Sequence, residues 1–258
     1  MPTTTTQNLD VFDAPDVVES YARANDLQPG ERTILQEFDG PLRNMRFLDI
    51  GIGAGRTTIH FAPRVKEYVG VDYAKEMIKV CEQRFDGEGG RVRFAACDAR
   101  DMRDFADASF DFAFFSYNGL DCLPHEDRMQ ILREIHRVVK PGGYYFFSSH
   151  NLRFFPILFR FPIFLDVAKM KRRLKKYRLL REHNPNFREI ARGRHAFVHD
   201  SVHEFRVKIY YVDPEEQVAQ LAQTGFREPR LFGENGVEIN LSSSRLKRDA
   251  WIYYLCRR

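Results

Sequence analysis

Between residues 47 and 150 short apolar runs alternate with amphipathic stretches. The runs at 47–50, 68–72 (YVGVD), 91–96 (RVRFAA), 110–116 (FDFAFFS) and 143–150 (GYYFFSSH) are nearly continuous in apolar residues. They lack the every-other-residue polar positions of a half-solvated strand, so each predicts a strand covered on both faces. Leu132, Ile135, Val138 and Val139 recur at helical spacing before a Lys-Pro-Gly-Gly stop, which predicts a helix between the last two runs. Strands separated by helices predict an α/β fold with a parallel sheet wound by helices on both faces.

The pattern changes after Asn151. An aromatic, proline-rich piece (154–165) is followed by a basic stretch, KMKRRLKKYRLLR (169–181), and by His- and Arg-rich sequence to about residue 204. Core-like patterning then resumes: 205–212 alternates as a strand, 213–226 starts a helix at Asp213-Pro214 and stops at Gly225, and 250–256 reads as a closing strand. The expected organisation is a core over 1–150, a lid insertion over 151–204 and the rest of the core over 205–258.

Bulk properties narrow the class. A chain of 258 residues, 43% hydrophobic, holds one large domain or a core with a cap. Forty Lys and Arg against 36 Asp and Glu, a net charge of +4, do not mark a nucleic-acid binder, and no DNA partner is expected. Cys81, Cys97, Cys122 and Cys256 form no C-x-x-C pair, so they predict free thiols in a reducing compartment and no zinc site. The polar, acidic first residues do not resemble a secretory signal, and no apolar run reaches the length of a spanning helix. A cytoplasmic location is expected.

The chemistry begins at FLDIGIGAGRTT (47–58), where a strand runs into Gly51, Gly53 and Gly55. Glycines there let the chain turn sharply and let a ligand lie against bare peptide. The dinucleotide fingerprint fails because Arg56 stands where its third glycine belongs, and no Gly-Lys-Ser/Thr follows for a phosphate loop. Asp49 beside the turn would repel a pyrophosphate but favour a ligand with a cationic group. That points to an amino-acid-like adduct of a nucleoside.

DIGIGAG (49–55) resembles the first motif of the class I S-adenosylmethionine-dependent methyltransferases, D/E-x-G-x-G-x-G. The resemblance covers most of the chain from about Tyr21, with 151–204 outside it. It implies a Rossmann-like seven-stranded sheet, the last strand antiparallel, and S-adenosylmethionine as cofactor. In cofactor binding it gives Asp49, Gly51, Gly53 and Gly55 to the methionine end, Asp72 to the ribose hydroxyls, and Tyr73, Met77, Asp98 and Ala99 to the adenine. Ser116 and Tyr21, an aromatic expected to close over the cofactor, complete the set.

Near the transferring methyl the resemblance puts the end of the fourth predicted strand, Ser116-Tyr117-Asn118-Gly119. The D/N-P-P-Y/F motif of many amine and amide methylators is absent. Tyr117, Asn118 and Asp121 are expected either to meet substrate or to form a polar turn. His150 is either a general base or a structural histidine. His199 and Tyr210 are candidates for the substrate pocket. His195, His199 and His203 are spaced by four, but the sequence around them reads as a loop and no metal is expected.

The implied reaction is methyl transfer to O or N of a small molecule, such as a sugar or glycan precursor or a secondary metabolite. The acceptor is anionic if the basic stretch lines its site. That stretch is otherwise a solvated lid helix or a face for RNA or a membrane surface; a non-catalytic binding protein is the remaining alternative.

Overall fold

The computed structural model describes residues 11–87, 89–160 and 167–258. The end of the Phe-rich piece and the side chain of His203 lie outside the described residues. In chain order the elements are α1 (Pro15–Ala22), α2 (Pro29–Glu37), β1 (Arg46–Ile50), β2 (Glu67–Asp72), α3 (Lys75–Arg84), β3 (Val92–Ala96), β4 (Phe110–Phe115), α4 (His125–Val138) and β5 (Val139–Asn151). They continue with α5 (Val167–His183), β6 (His195–His199), β7 (Lys208–Val212), α6 (Pro214–Gln223), β8 (Arg227–Phe232), β9 (Glu238–Ile239) and β10 (Trp251–Arg257). One-turn helices fill several connections.

One sheet runs in the order β3-β2-β1-β4-β5-β10-β8-β9. The first five strands are parallel, and β10 lies antiparallel between β5 and β8. Because both faces are covered, alternate residues of one strand feed different cores. In β4, Ala113 and Phe115 join the cluster covered by α4 and α6 (Ile131, Leu132, Ile135, Leu221), whereas Phe112 and Phe114 join the one covered by α2 (Ile34) and Phe61. The second face is a run of stacked rings, with Phe47 5.1 Å from Phe61, Phe114 5.2 Å from Phe146 and Phe146 5.7 Å from Tyr253. Each such ring removes a large apolar area from water, so this layer is a main source of stability.

Two expectations need correction. The strand expected over 205–212 is not the sixth strand of the main sheet. Only Lys208–Val212 is extended, and it meets β5 at two register pairs alone, His150 with Tyr211 and Asn151 with Val212. The sixth strand is β8, which the sequence hides because REPRLF carries two arginines, a glutamate and a proline on a half-exposed edge. The loop expected around His195–His199 is strand β6, hairpinned antiparallel to β7. Within the expected insertion over 151–204, the last strand, β6, thus joins the sheet through β7.

The insertion has its own core of Leu152, Phe155, Phe159, Leu180, Val198, Val207, Ile209 and Tyr211. The basic stretch is helical, as expected, but of α5 only Leu180 is buried among the described side chains. Among the described residues no helix is long and apolar enough to cross a membrane.

Candidate active site

At the carboxyl ends of β1, β2, β3 and β4 a cavity is lined by Phe12, Tyr21, Gly51, Gly53, Asp72, Tyr73, Met77, Cys97, Asp98, Ala99, Phe115, Ser116, Tyr117, Gly119, Cys122, Leu123 and Ile131, with Ile50 at its floor. In open parallel sheets ligands bind at this edge. A second, shallower depression, between Arg32, Gln36, His60 and Arg64, lacks these strand ends.

The glycine turn is built from the strand outward. The amides of Gly51 and Ile52 donate to the carbonyl of Val71, at 2.8 and 3.2 Å, tying the turn to β2. Gly51 and Gly53 have φ of +64° and +53°, a region that side chains with a Cβ rarely enter. A Cβ on Gly51 would stand 2.7 Å from the Phe115 ring, and one on Gly53 would meet Tyr21 at 3.1 Å. Gly55 is also left-handed, with φ of +81°, but it packs on Phe85 and Cys81 and does not line the cavity.

Asp72 ends β2 with one carboxylate oxygen accepting from the Gly53 amide and the other from the Ala74 amide, both at 2.9 Å. Burial raises its pKa to about 6 against the pull of these amide donors. The acid that shapes the turn also faces the cavity. Asp49, expected at the methionine end, does not line the cavity, and its Oδ1 is buried without a hydrogen-bond partner among the described residues. The residue is fully buried under the turn, where its other oxygen accepts from Thr57 Oγ1 at 2.6 Å and from the Tyr68 hydroxyl at 2.5 Å. Burial pushes its pKa to about 7, despite those two donors and the nearby Arg56. Strand alternation turns its side chain toward Tyr68, on the face away from the site.

Tyr73, Met77, Asp98 and Ala99 all reach the cavity, as expected. Burial opposes ionisation of Asp98, but hydrogen bonds from Arg100 outweigh it and hold the carboxyl below the usual range. Arg100 pairs with Asp98 at 2.6 Å and with Asp127 at 2.9 Å. Tyr21, on α1, lies over Gly53, and Phe12 packs edge-on against both Tyr21 and Tyr73. The N-terminal segment thus forms a flap over the glycine turn. Cys97 and Cys122 also face the cavity, and burial raises their thiols to about 11 and about 12, so both stay protonated near neutrality.

Beyond β4 the backbone reverses through Tyr117 and Asn118, both left-handed, with φ of +54° and +59°. Such conformations in residues other than glycine cost on the order of 1–3 kcal/mol each and gather at functional sites. The turn is held by the Asn118 amide donating to Ser148 Oγ at 2.8 Å. It leaves the Tyr117 ring 55% exposed on the cavity. A group that the sequence reading missed supports this end. Arg56 grips the buried Glu31 through two hydrogen bonds, at 2.6 and 2.7 Å, touches Ser116 Oγ at 3.0 Å and lies over the Tyr117 ring. Ser116 donates to Glu31 as well. Gln28-Pro29-Gly30-Glu31 is legible as a helix-capping box, but its reach to Arg56 is not.

Four substrate-side expectations fall elsewhere. Asp121 is fully buried: one oxygen accepts from Ser149 and from Arg128, the other from the His150 amide at 2.6 Å, with His150 Nδ1 at 2.8 Å. It answers a buried guanidinium rather than a ligand. His150 does not line the cavity; its Nε2 stands 3.5 Å from Asn118 Nδ2, behind the turn. Tyr210 is fully buried, with its hydroxyl on His125 Nδ1 at 2.8 Å and on Gln220 at 3.2 Å. His199 belongs to the insertion, bonded to the Phe205 carbonyl at 3.1 Å and packed near His183. Among the described residues no group of three His, Cys, Asp or Glu is placed to hold a metal.

Comparison with known proteins adds independent information. Residues 47–143 match a family model described as a methyltransferase domain. An uncharacterized methyltransferase, YcgJ, of Bacillus subtilis (strain 168) is 37% identical over 118 residues, 45% of each chain. A ubiquinone biosynthesis O-methyltransferase of Bordetella avium (strain 197N) is 26% identical over 80% of this chain and 70% of its own. The chain spans about half the length of the first curated relatives it matches. Among solved structures, a 1,6-didemethyltoxoflavin-N1-methyltransferase of Burkholderia thailandensis, with bound S-adenosylhomocysteine, superposes with a TM-score of 0.60 at 16% identity, covering 98% of this chain and 86% of its own. At that identity the likeness shows the fold.

Proposed function

We propose that the chain is a class I S-adenosylmethionine-dependent methyltransferase, a reading supported by the match of residues 47–143 to a methyltransferase-domain model, and that it methylates a hydroxyl of an uncharged, ring-bearing small molecule. The observation that carries the acceptor class is the lining beside the glycine turn: Phe12, Tyr21, Phe115, Tyr117 and Cys122, with no Lys or Arg among the described residues of the cavity. An anionic acceptor, the reading that would follow if the basic stretch lined the site, would find no Lys or Arg among the described lining residues. A flat apolar ring gains from stacking and from leaving water. The breadth of the Bordetella avium relative favours oxygen over nitrogen as the acceptor atom.

The residues present fit the cofactor. The left-handed Gly51 and Gly53 leave bare backbone on the cavity wall, Asp72 presents a carboxylate suited to vicinal hydroxyls, and Met77, Leu123 and Ile131 offer an apolar slot that ends at Asp98 and Ala99. When bound, S-adenosylmethionine supplies an electrophilic methyl on a sulfonium. The chain's own contribution is to orient and to exclude water. Phe12 and Tyr21 cover the turn, and Tyr117 is fixed by its strained backbone and by Arg56. His150 acts as a positioning residue, holding the Asn118 turn from behind with Asp121 as its anchor.

The test is production of S-adenosylhomocysteine from S-adenosylmethionine against two acceptor panels, phenols and hydroquinones in one and phosphorylated sugars in the other. Turnover with the first panel alone is expected. Turnover with phosphorylated sugars alone would overturn the acceptor class. Failure to bind S-adenosylmethionine would overturn the whole reading.

A further inference from the structure

Helix α5 carries eight Lys or Arg between residues 169 and 181 and only Glu182 as an acid. Its one buried described side chain is Leu180. At about 100° per residue, Lys171, Lys175 and Arg178 fall within about 40° of the pole opposite Leu180, and Glu182 joins that strip only at its end. Lys171, Arg172, Lys175 and Arg178 are exposed, and among the described residues none of them has an ion pair or hydrogen bond. Elsewhere the bases are used internally: Arg100, Arg137, Arg153 and Arg230 each bridge two carboxylates. Lys171, Arg172, Lys175 and Arg178 therefore serve neither the core nor the cavity.

We propose that this face of α5 docks the protein on an anionic lipid surface. Charge complementarity requires a polyanion, and the remaining pattern selects a membrane over RNA. Leu174 and Leu179, both half-buried, flank the basic strip on its two sides, about 120° and 100° from Leu180. A basic strip with aliphatic shoulders is the arrangement of a helix lying in a headgroup layer. Single-stranded RNA calls for aromatic platforms among the bases. The helix's only aromatic, Tyr177, lies about 60° from Leu180, on the side turned toward the protein. The inference stands apart from the acceptor reading, because it uses no residue of the cavity.

The experiment is co-sedimentation of the full chain with vesicles of phosphatidylcholine alone and of phosphatidylcholine mixed with phosphatidylglycerol, at low and high salt, beside a variant carrying Lys171→Glu, Lys175→Glu and Arg178→Glu. Titration with S-adenosylmethionine on the same samples reads fold and cavity separately. The wild type is expected to sediment with the anionic vesicles only, less at high salt, and the variant to bind at least about thirtyfold more weakly with its cofactor affinity unchanged. If the triple variant loses its fold, Lys175→Gln with Arg178→Gln replaces it, with an expected loss of about tenfold. Equal binding to neutral vesicles, no binding to either, or variants that bind as the wild type does would overturn the proposal. So would tighter binding to transfer RNA than to anionic vesicles.

Discussion

The parallel core and the insertion use charge in opposite ways. In the core, charged groups are buried and matched. Arg128 and Asp121 are both fully buried and paired directly, with Ser149 bonded to both, Gln217 accepting from Arg128 and His150 bonded to Asp121, and Glu31 is fully buried against Arg56. In the insertion, a 17-residue helix buries Leu180 alone among its described side chains and exposes Lys171, Arg172, Lys175 and Arg178. Buried charge is tolerable only when paired, so the core's pairs fix geometry, whereas exposed charge adds little to folding. The core's charges position a site, and Lys171, Arg172, Lys175 and Arg178 of the insertion remain exposed to solvent.

That contrast is most exposed at Arg128. Replacing it with leucine leaves Asp121 buried without its cation, and a loss of about 3–5 kcal/mol is expected in denaturant unfolding. A loss under 1 kcal/mol would place the two regions on the same footing. Asp72→Ala comes next, with cofactor affinity falling by about 1.5–3 kcal/mol in calorimetric titration. Gly51→Ala combines a left-handed backbone with a Cβ 2.7 Å from Phe115 and is expected to destabilise by about 1–3 kcal/mol. His150→Gln is expected to lower kcat by at most about tenfold without changing cofactor affinity, since the imidazole lies behind the turn. A fall of about 10²–10⁴ would make it the base after all.

Two smaller effects complete the series. Asp49 and Asp72 have folded pKa values raised to about 7 and about 6 by burial. A raised carboxyl stabilises the fold below its unfolded pKa, and that contribution is lost as pH rises through the folded value. Thermal melts from pH 4 to 8 should therefore show wild type losing stability relative to Asp49→Asn, with most of the change complete by about pH 7. Lys175→Gln should shift stability by no more than about 0.5 kcal/mol, as befits an exposed cation among the described residues without a partner.

Much of the core was legible because its strands are buried on both faces and so carry an unbroken apolar signal. The glycine turn, Asp72 and Asp98 stand at the ends of strands legible in the sequence, whereas Tyr21, on α1, was given by the family resemblance. What stayed hidden depends on direction. Asp49 and Asp72 both stand at strand ends, yet pleating turns one beneath the turn and the other toward the cavity. The same blindness placed Asp121 and Tyr210 at the substrate, because a sequence does not show that Arg128 is buried beside them. Strand β8 escaped because an edge strand with Arg227, Glu228, Pro229 and Arg230 lacks an apolar run. Glu31 and Arg56 meet across 25 residues by a fold that neither residue announces.

Val11 packs in two clusters at once, the one beneath the N-terminal flap and the one inside the insertion, and Arg206 reaches Asp16 of α1 at 3.5 Å. The flap over the cavity and the insertion packed against it are thus not interchangeable modules. A chimera that imports another protein's insertion will inherit a mismatched seam at Val11 and Asp16. Such grafts should succeed only when the flap travels with the insertion.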